Sequence, residues 1–105
     1  MRVYIIPAQA MHHAHDTEGA LHDLQALVGG YIEPCAPVEL RKRGIELLAN
    51  EEGLLRQLPV NINLFPFFFV GPLVAVGIGD EDFVSLTPDQ EEYLKYWLIG
   101  LSNHR

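Results

Sequence analysis

His12, His13, His15 and Asp16 put imidazoles and a carboxylate within one short stretch of chain, and these are donors that zinc, nickel and copper accept. The chemistry they invite is metal-assisted hydrolysis. A catalytic zinc needs about three protein ligands, each oriented by an outer partner, and a loop between Pro7 and the next helix offers little to hold them. The spacing matches no established metal motif, so a solvated loop is expected, with no resident metal or other cofactor. His22, beside Leu21, could join the group only if the loop folded back.

Other reactive groups are equally weak as catalysts. Cys35 lies between Pro34 and Ala36 with no cationic neighbour to lower its pKa, so a buried structural thiol is expected. Asp80, Glu81 and Asp82, with Glu51 and Glu52, supply carboxylates for an acid/base pair, yet acidic turns are common and nothing predicts their burial. No catalytic residue is assigned. Gly29-Gly30 and Gly77-Ile78-Gly79 lack the lysine and hydroxyl of a phosphate loop and read as caps and turns. Arg41-Lys42-Arg43 is the only dense basic run; with Arg56 it supplies the phosphate partners a nucleotide would need, or else it is a solvated turn.

The elements that would carry these residues follow from local pattern. Residues 2–6 are β-branched and aromatic and stop at Pro7, which predicts a strand. Residues 8–16 show no period and read as a loop, with Asp16 or Thr17 capping a helix from 17 to 28. Its stripe is Leu21, Leu24, Leu27 and Val28, and Gly29-Gly30 ends it. Tyr31-Ile32-Glu33 is an edge strand that leaves through Pro34-Cys35-Ala36-Pro37. Residues 45–49 form a short apolar strand, and Asn50-Glu51-Glu52-Gly53 turns into a brief helical segment through Leu58, before Pro59. Residues 67–78 give the strongest strand signal, apolar on both alternation phases, so both faces must be covered. A second copy of the chain would cover one of them, which predicts a homo-oligomer; alternatively Gly71-Pro72 bends the strand and a loop covers part of it. The final helix runs from 88 to 101, where Thr87, Pro88 and Gln90 make a capping box. The fold class is α+β, a small mainly antiparallel sheet packed against two main helices in a single domain over residues 1–105.

Composition bounds the setting. The chain has 105 residues, 49% apolar and 20% charged, enough apolar side chain to fold around one core. Fourteen acidic against seven basic side chains give a formal charge of −7, which disfavours nucleic acid as a partner but leaves an acidic DNA mimic open. A single cysteine suits a reducing cytoplasm. No signal peptide is legible, and the longest apolar stretch, residues 64–78, is too short and too broken by Pro66 and Gly71-Pro72 to span a bilayer. The expectation is therefore a cytoplasmic protein without a membrane segment.

The strings Leu24-Gln25-Ala26-Leu27-Val28-Gly29-Gly30-Tyr31-Ile32-Glu33, Asn50-Glu51-Glu52-Gly53-Leu54-Leu55, Leu58-Pro59-Val60-Asn61 and Asp82-Phe83-Val84-Ser85-Leu86-Thr87 resemble the family of domains of unknown function numbered 3846. That family occurs on bacteriophages, plasmids and in bacterial genomes, so the resemblance implies a mobile-element setting and, if phage-encoded, the host cytoplasm. Gly29, Gly30, Tyr31, Glu33, Asn50, Glu51 and Asn61 match its pattern and join Arg41, Arg43 and Arg56 as candidate ligand-binding residues. Each also has a structural reading: glycines as caps, Asn50 and Asn61 closing turns, Tyr31 filling core, Glu33 solvated. The chain departs from the family at Phe65 to Phe69, where Phe67, Phe68 and Phe69 are a candidate interface ledge. The resulting expectation is a phage-type accessory binding protein, in its sharper form an anti-defence factor. Its partner would be a host protein or a small nucleotide signal, bound as a homo-oligomer. The alternatives are a metal-assisted hydrolase using the histidine loop, and a DNA mimic.

Overall fold

The computed structural model describes residues 1–64 and 66–102. In chain order the elements are β1 (Arg2–Ile6), β2 (His13–Asp16), α1 (Leu21–Val28), β3 (Ile32–Pro34), α2 (Val38–Arg41), β4 (Ile45–Asn50), β5 (Val60–Leu64), β6 (Phe67–Val70), β7 (Leu73–Ile78), β8 (Phe83–Val84) and α3 (Pro88–Ser102). The main sheet is antiparallel in the order β2-β1-β7-β4-β3, with β8 on β7, and β5 and β6 form a separate hairpin. This is the expected α+β class.

Order in the sheet follows polarity. β4 is buried throughout and β7 almost throughout, and these two lie at the centre. The polar β2 and the proline-ended β3 lie at the edges, where unpaired backbone can meet water. The period of two then sorts the core into two layers. Val74, Val76, Leu48 and Val3 meet Leu24 and Val28 of α1. Leu73, Ala75, Leu47, Ile45, Tyr4 and Ile6 meet Leu94 and Leu98 of α3, Leu40 of α2, and Ile62 and Phe69 of the hairpin. Each fully buried leucine or valine contributes about 1.5–3 kcal/mol. Both faces of β7 are thus covered within one chain, and the burial argument for a second copy falls away.

Of the two readings of residues 67–78 the bend at Gly71-Pro72 is the one found, and three other local expectations met corrections. The apolar stretch from 67 to 78 is two strands, because Gly71 (φ 75°) and Pro72 turn the chain from the hairpin into the sheet. A β-carbon at Gly71 would sit 2.7 Å from Leu58 Cδ1. Residues 13–16 are strand, not loop, since their backbone pairs with β1 and Ala14 packs against the α3 layer. The Thr17 amide still donates to the Met1 carbonyl (2.9 Å), so the helix begins at Leu21 rather than at 17. Its start is capped by Asp23 Oδ2, which accepts from the Ala20 amide at 3.3 Å, and not by Asp16 or Thr17. The short α2 follows Pro37 and is held by the fully buried Leu40. At α3 the capping box is present: Gln90 N–H donates to Thr87 Oγ1 (3.2 Å) and Thr87 N–H to Gln90 Oε1 (2.9 Å). Among the described residues no helix is long and apolar enough to cross a membrane.

Candidate functional site

Five of the candidate residues meet at the C-terminus of α1. Gly29, in the left-handed region (φ 81°), lets its amide reach the Gln25 carbonyl at 2.8 Å and ends the helix. Asn50, 5% exposed at the end of β4, donates from Nδ2 to the Val28 carbonyl (3.2 Å) and accepts the Glu52 amide on Oδ1 (2.8 Å). The Glu51 amide donates to the Tyr31 carbonyl at 2.8 Å. Gly30 lies so close that a β-carbon there would sit 3.0 Å from Asn50 Nδ2. Through the Asn50 side chain and these backbone bonds the cluster ties α1, β3 and the turn after β4 together, while the Glu51 side chain is exposed. Tyr31 is exposed instead of filling core, and Glu33 is exposed on the edge strand. Asn61 lies elsewhere: its Nδ2 donates to the carbonyls of Ile6 (2.7 Å) and Gly71 (2.8 Å), fastening the β5–β6 hairpin to the end of β1.

The arginines are also engaged. Arg41 pairs with Glu46 through Nε to Oε2 (3.1 Å) and Nη2 to Oε1 (3.4 Å). Glu46, only 7% exposed, accepts in addition the amides of Ala36 (2.8 Å) and Leu47 (3.1 Å), so Arg41 balances a buried carboxylate. Arg43 stacks over the Tyr93 ring, 3.9 Å from its centre, and Arg56 pairs with Glu52 at 3.4 Å. A phosphate would compete with these partners for all three. Beside Arg43 a shallow hollow is lined by Lys42 and Tyr93, with Asp89 opposing an anion there.

His12, His13 and His15 divide between the two faces of the sheet. His12 Nδ1 lies 2.6 Å from the Tyr4 hydroxyl, and Tyr4 belongs to the α3 layer. Burial, and then the charge of Glu91, push the Tyr4 phenol up from its ordinary value. His13 and His15 pair across the ladder with Ile5 and Val3, on the α1 side. Among the described residues no three of His, Cys, Asp and Glu are grouped to hold a metal ion. Cys35 is half-buried, and burial, reinforced by Glu46 and Glu33, pushes its thiol up to about 12, which keeps it protonated and poorly nucleophilic. The aromatic ledge is interrupted: Phe69 pairs with Ile62 and is buried, while Phe68 pairs with Asn63 and is half-exposed. Phe65 and the side chain of Phe67 lie outside the described residues.

A concavity of about 880 Å³ lies between the start of α1 and the β7–β8 turn. Leu21, Ile78 and Phe83 line it, and Leu21 and Ile78 remain 62% and 44% exposed. Glu18, Glu81 and Asp82 stand at its edge. The turn is closed by the Gly79 amide donating to the Asp82 carbonyl at 3.0 Å, which presents the acidic residues beside the helix start. In the sequence Leu21 reads as a stripe residue and Asp80 to Asp82 as an acidic turn; only the β7–β8 pairing brings Glu81 and Asp82 to the cleft beside Leu21.

The family model described as Domain of unknown function (DUF3846) matches residues 1–98. The chain belongs to this family. The match to DUF3846 runs from β1 to Leu98 on α3, so the whole sheet, the hairpin, the α1 cluster and the acidic cleft fall within it. No curated protein and no solved structure matches the chain.

Proposed function

We propose that this DUF3846 chain is a binding module rather than an enzyme. Its partner is a protein, and the cleft between α1 and the β7–β8 turn receives a basic amphipathic segment of that partner. The observation that carries this reading is the pairing of exposed apolar lining (Leu21, Ile78) with a carboxylate edge (Glu18, Glu81, Asp82). Apolar side chains left in a concavity favour an occupant, and the edge, with a formal charge of −7 behind it, attracts a cationic one. In a mobile-element setting that occupant belongs to a host protein, and an anti-defence role is one form the binding takes. A nucleotide ligand is less well supported, since Arg41, Arg43 and Arg56 already have partners. An exposed apolar floor has no counterpart in a DNA duplex, which weighs against mimicry. Histidines on opposite sheet faces weigh against a hydrolytic metal centre.

The test is a photo-cross-linking residue at Leu21, compared with one at the equally exposed Tyr96 on α3. Adducts at position 21 should carry basic amphipathic peptides, and should fade with Glu81→Lys plus Asp82→Lys or in about 1 M salt, where screening shortens to roughly 3 Å. Equal adducts from position 96, or adducts indifferent to charge reversal, would refute the assignment.

A further inference from the structure

The α1-side face of the sheet is only partly covered by its helix. α1 packs over β3, β4 and β7, and at the β1–β2 end of the same face stand His13 and His15. His13 is exposed and His15 partly so. Their ladder partners are Ile5 and Val3, and Val3 lies in the layer beneath α1, which fixes the side of the sheet. Residues two apart on a strand point the same way, with α-carbons about 6.5–7 Å apart. That separation lets two imidazoles converge on one ion.

The His13 ring is already oriented by the backbone. His13 Nδ1 lies 3.1 Å from the Met11 carbonyl. A carbonyl only accepts, so in the neutral ring the proton is on Nδ1 and the lone pair on Nε2 is left for a ligand. Metal-binding histidines are oriented in this way, by giving their other N–H to a backbone carbonyl. The neighbouring histidines are differently placed: His12 is held by Tyr4, and His22 lies on α1 beside Asp23 (3.3 Å).

We propose that His13 and His15 form a two-imidazole chelate for a divalent transition ion, copper(II) first, with nickel(II) and zinc(II) behind it. The order follows the general affinity series for nitrogen donors. Two protein ligands leave the other positions to water, so the ion exchanges readily and no closed structural centre is formed. The inference is independent of the acidic cleft and its partner.

The experiment uses the full chain without an affinity tag and one equivalent of copper(II), read by electron paramagnetic resonance and titration calorimetry. Two equatorial nitrogens are expected. His13→Gln and His15→Gln should each reduce the count to one and weaken binding on the order of 100-fold, the loss that accompanies a second linked contact. His12→Gln, His22→Gln and His104→Gln should leave spectrum and affinity unchanged. Copper(II) should also raise the melting temperature of the parent chain but not of the two chelate variants, as binding to the folded state alone requires. A single-nitrogen spectrum in the parent chain, meaning an adventitious ion only, overturns the proposal. So does loss of a nitrogen in any of the three other variants, or its retention in both chelate variants. Circular dichroism confirms that the strand variants fold.

Discussion

Asn50 offers the sharpest separation of a structural role from a ligand-binding one. Its side chain is 5% exposed and makes two hydrogen bonds, to the Val28 carbonyl at 3.2 Å and from the Glu52 amide at 2.8 Å. Asn50→Ala deletes both, and each costs about 0.5–1.5 kcal/mol, rising to about 1–3 where the orphaned partner stays buried. The total is about 2–4 kcal/mol, and at this chain length about 4 °C of melting temperature accompanies each kcal/mol, a fall of about 8–16 °C. Asn50→Asp keeps the acceptor for Glu52 but turns a carboxylate oxygen toward the Val28 carbonyl. Burial and that opposing dipole raise the folded-state pKa of the new carboxyl above its unfolded value of about 3.9. A raised folded pKa means that the protonated form, which can donate to Val28, is the stable one. The variant's deficit relative to the parent is therefore small below about pH 4 and grows as pH rises through the folded pKa. Thermal melts of the three proteins at matched pH between about 3.5 and 8 measure it. An Ala variant within 2–3 °C of the parent, in the roughly 0.5 kcal/mol range of neutral surface changes, would refute the reasoning, as would an Asp deficit that does not vary with pH.

Three further outcomes are expected. Phe69→Ala should cost about 3–5 kcal/mol in urea unfolding, since the ring lies in the α3 layer, whereas Phe68→Ala on the outer face of the same strand should cost well under half of that. Gln90→Ala removes the acceptor for the Thr87 amide and the donor to the Arg43 (2.9 Å) and Gly44 (3.1 Å) carbonyls. A loss of about 1–2 kcal/mol is expected by the same assay. At pH 8 the Cys35 thiol, held at about 12, should react with iodoacetamide on the order of 10³-fold more slowly in the folded chain than in urea. Because the folded pKa is the higher one, thiolate formation in the unfolded chain also erodes stability as pH rises from about 9 toward 12.

Elements whose cause is local were legible in the sequence. Thr87-Pro88-Asp89-Gln90 announces α3, Gly29 announces the end of α1, and the prolines after Ile32 announce an edge strand. What was not legible depends on distant partners. β2 reads His-Ala-His-Asp, with a single apolar residue, and is a strand only because β1 offers it a ladder. The alternation Val60, Ile62, Leu64 was present in the sequence, but its partner strand was hidden inside an apolar run that continues past Gly71 into β7. At the candidate site Asn50 and Asn61 looked ready for a ligand and instead bond backbone, Asn50 at the Val28 carbonyl and the Glu52 amide and Asn61 at the Ile6 and Gly71 carbonyls. Arg41 and Glu46 are near in sequence, yet their pairing depends on the direction the chain takes between α2 and β4. The acidic cleft needed the β7–β8 pairing to lie beside the start of α1, and no local pattern encodes that.

The place of β7 in the sheet has a consequence for assembly in time. β1 with β2, and β3 with β4, are pairs of consecutive strands that can form from short loops, whereas β7 arrives late in the chain and inserts between the two pairs. Until it does, β1 and β4 each present an unpaired edge, and β4 is a strand with every residue destined for burial. Such pairing over long sequence separations closes slowly and leaves adhesive edges exposed meanwhile. During synthesis the two half-sheets remain separate until residues 73–78 have emerged, so the interval before that strand docks is when this chain is most open to capture by a chaperone or by another copy of itself.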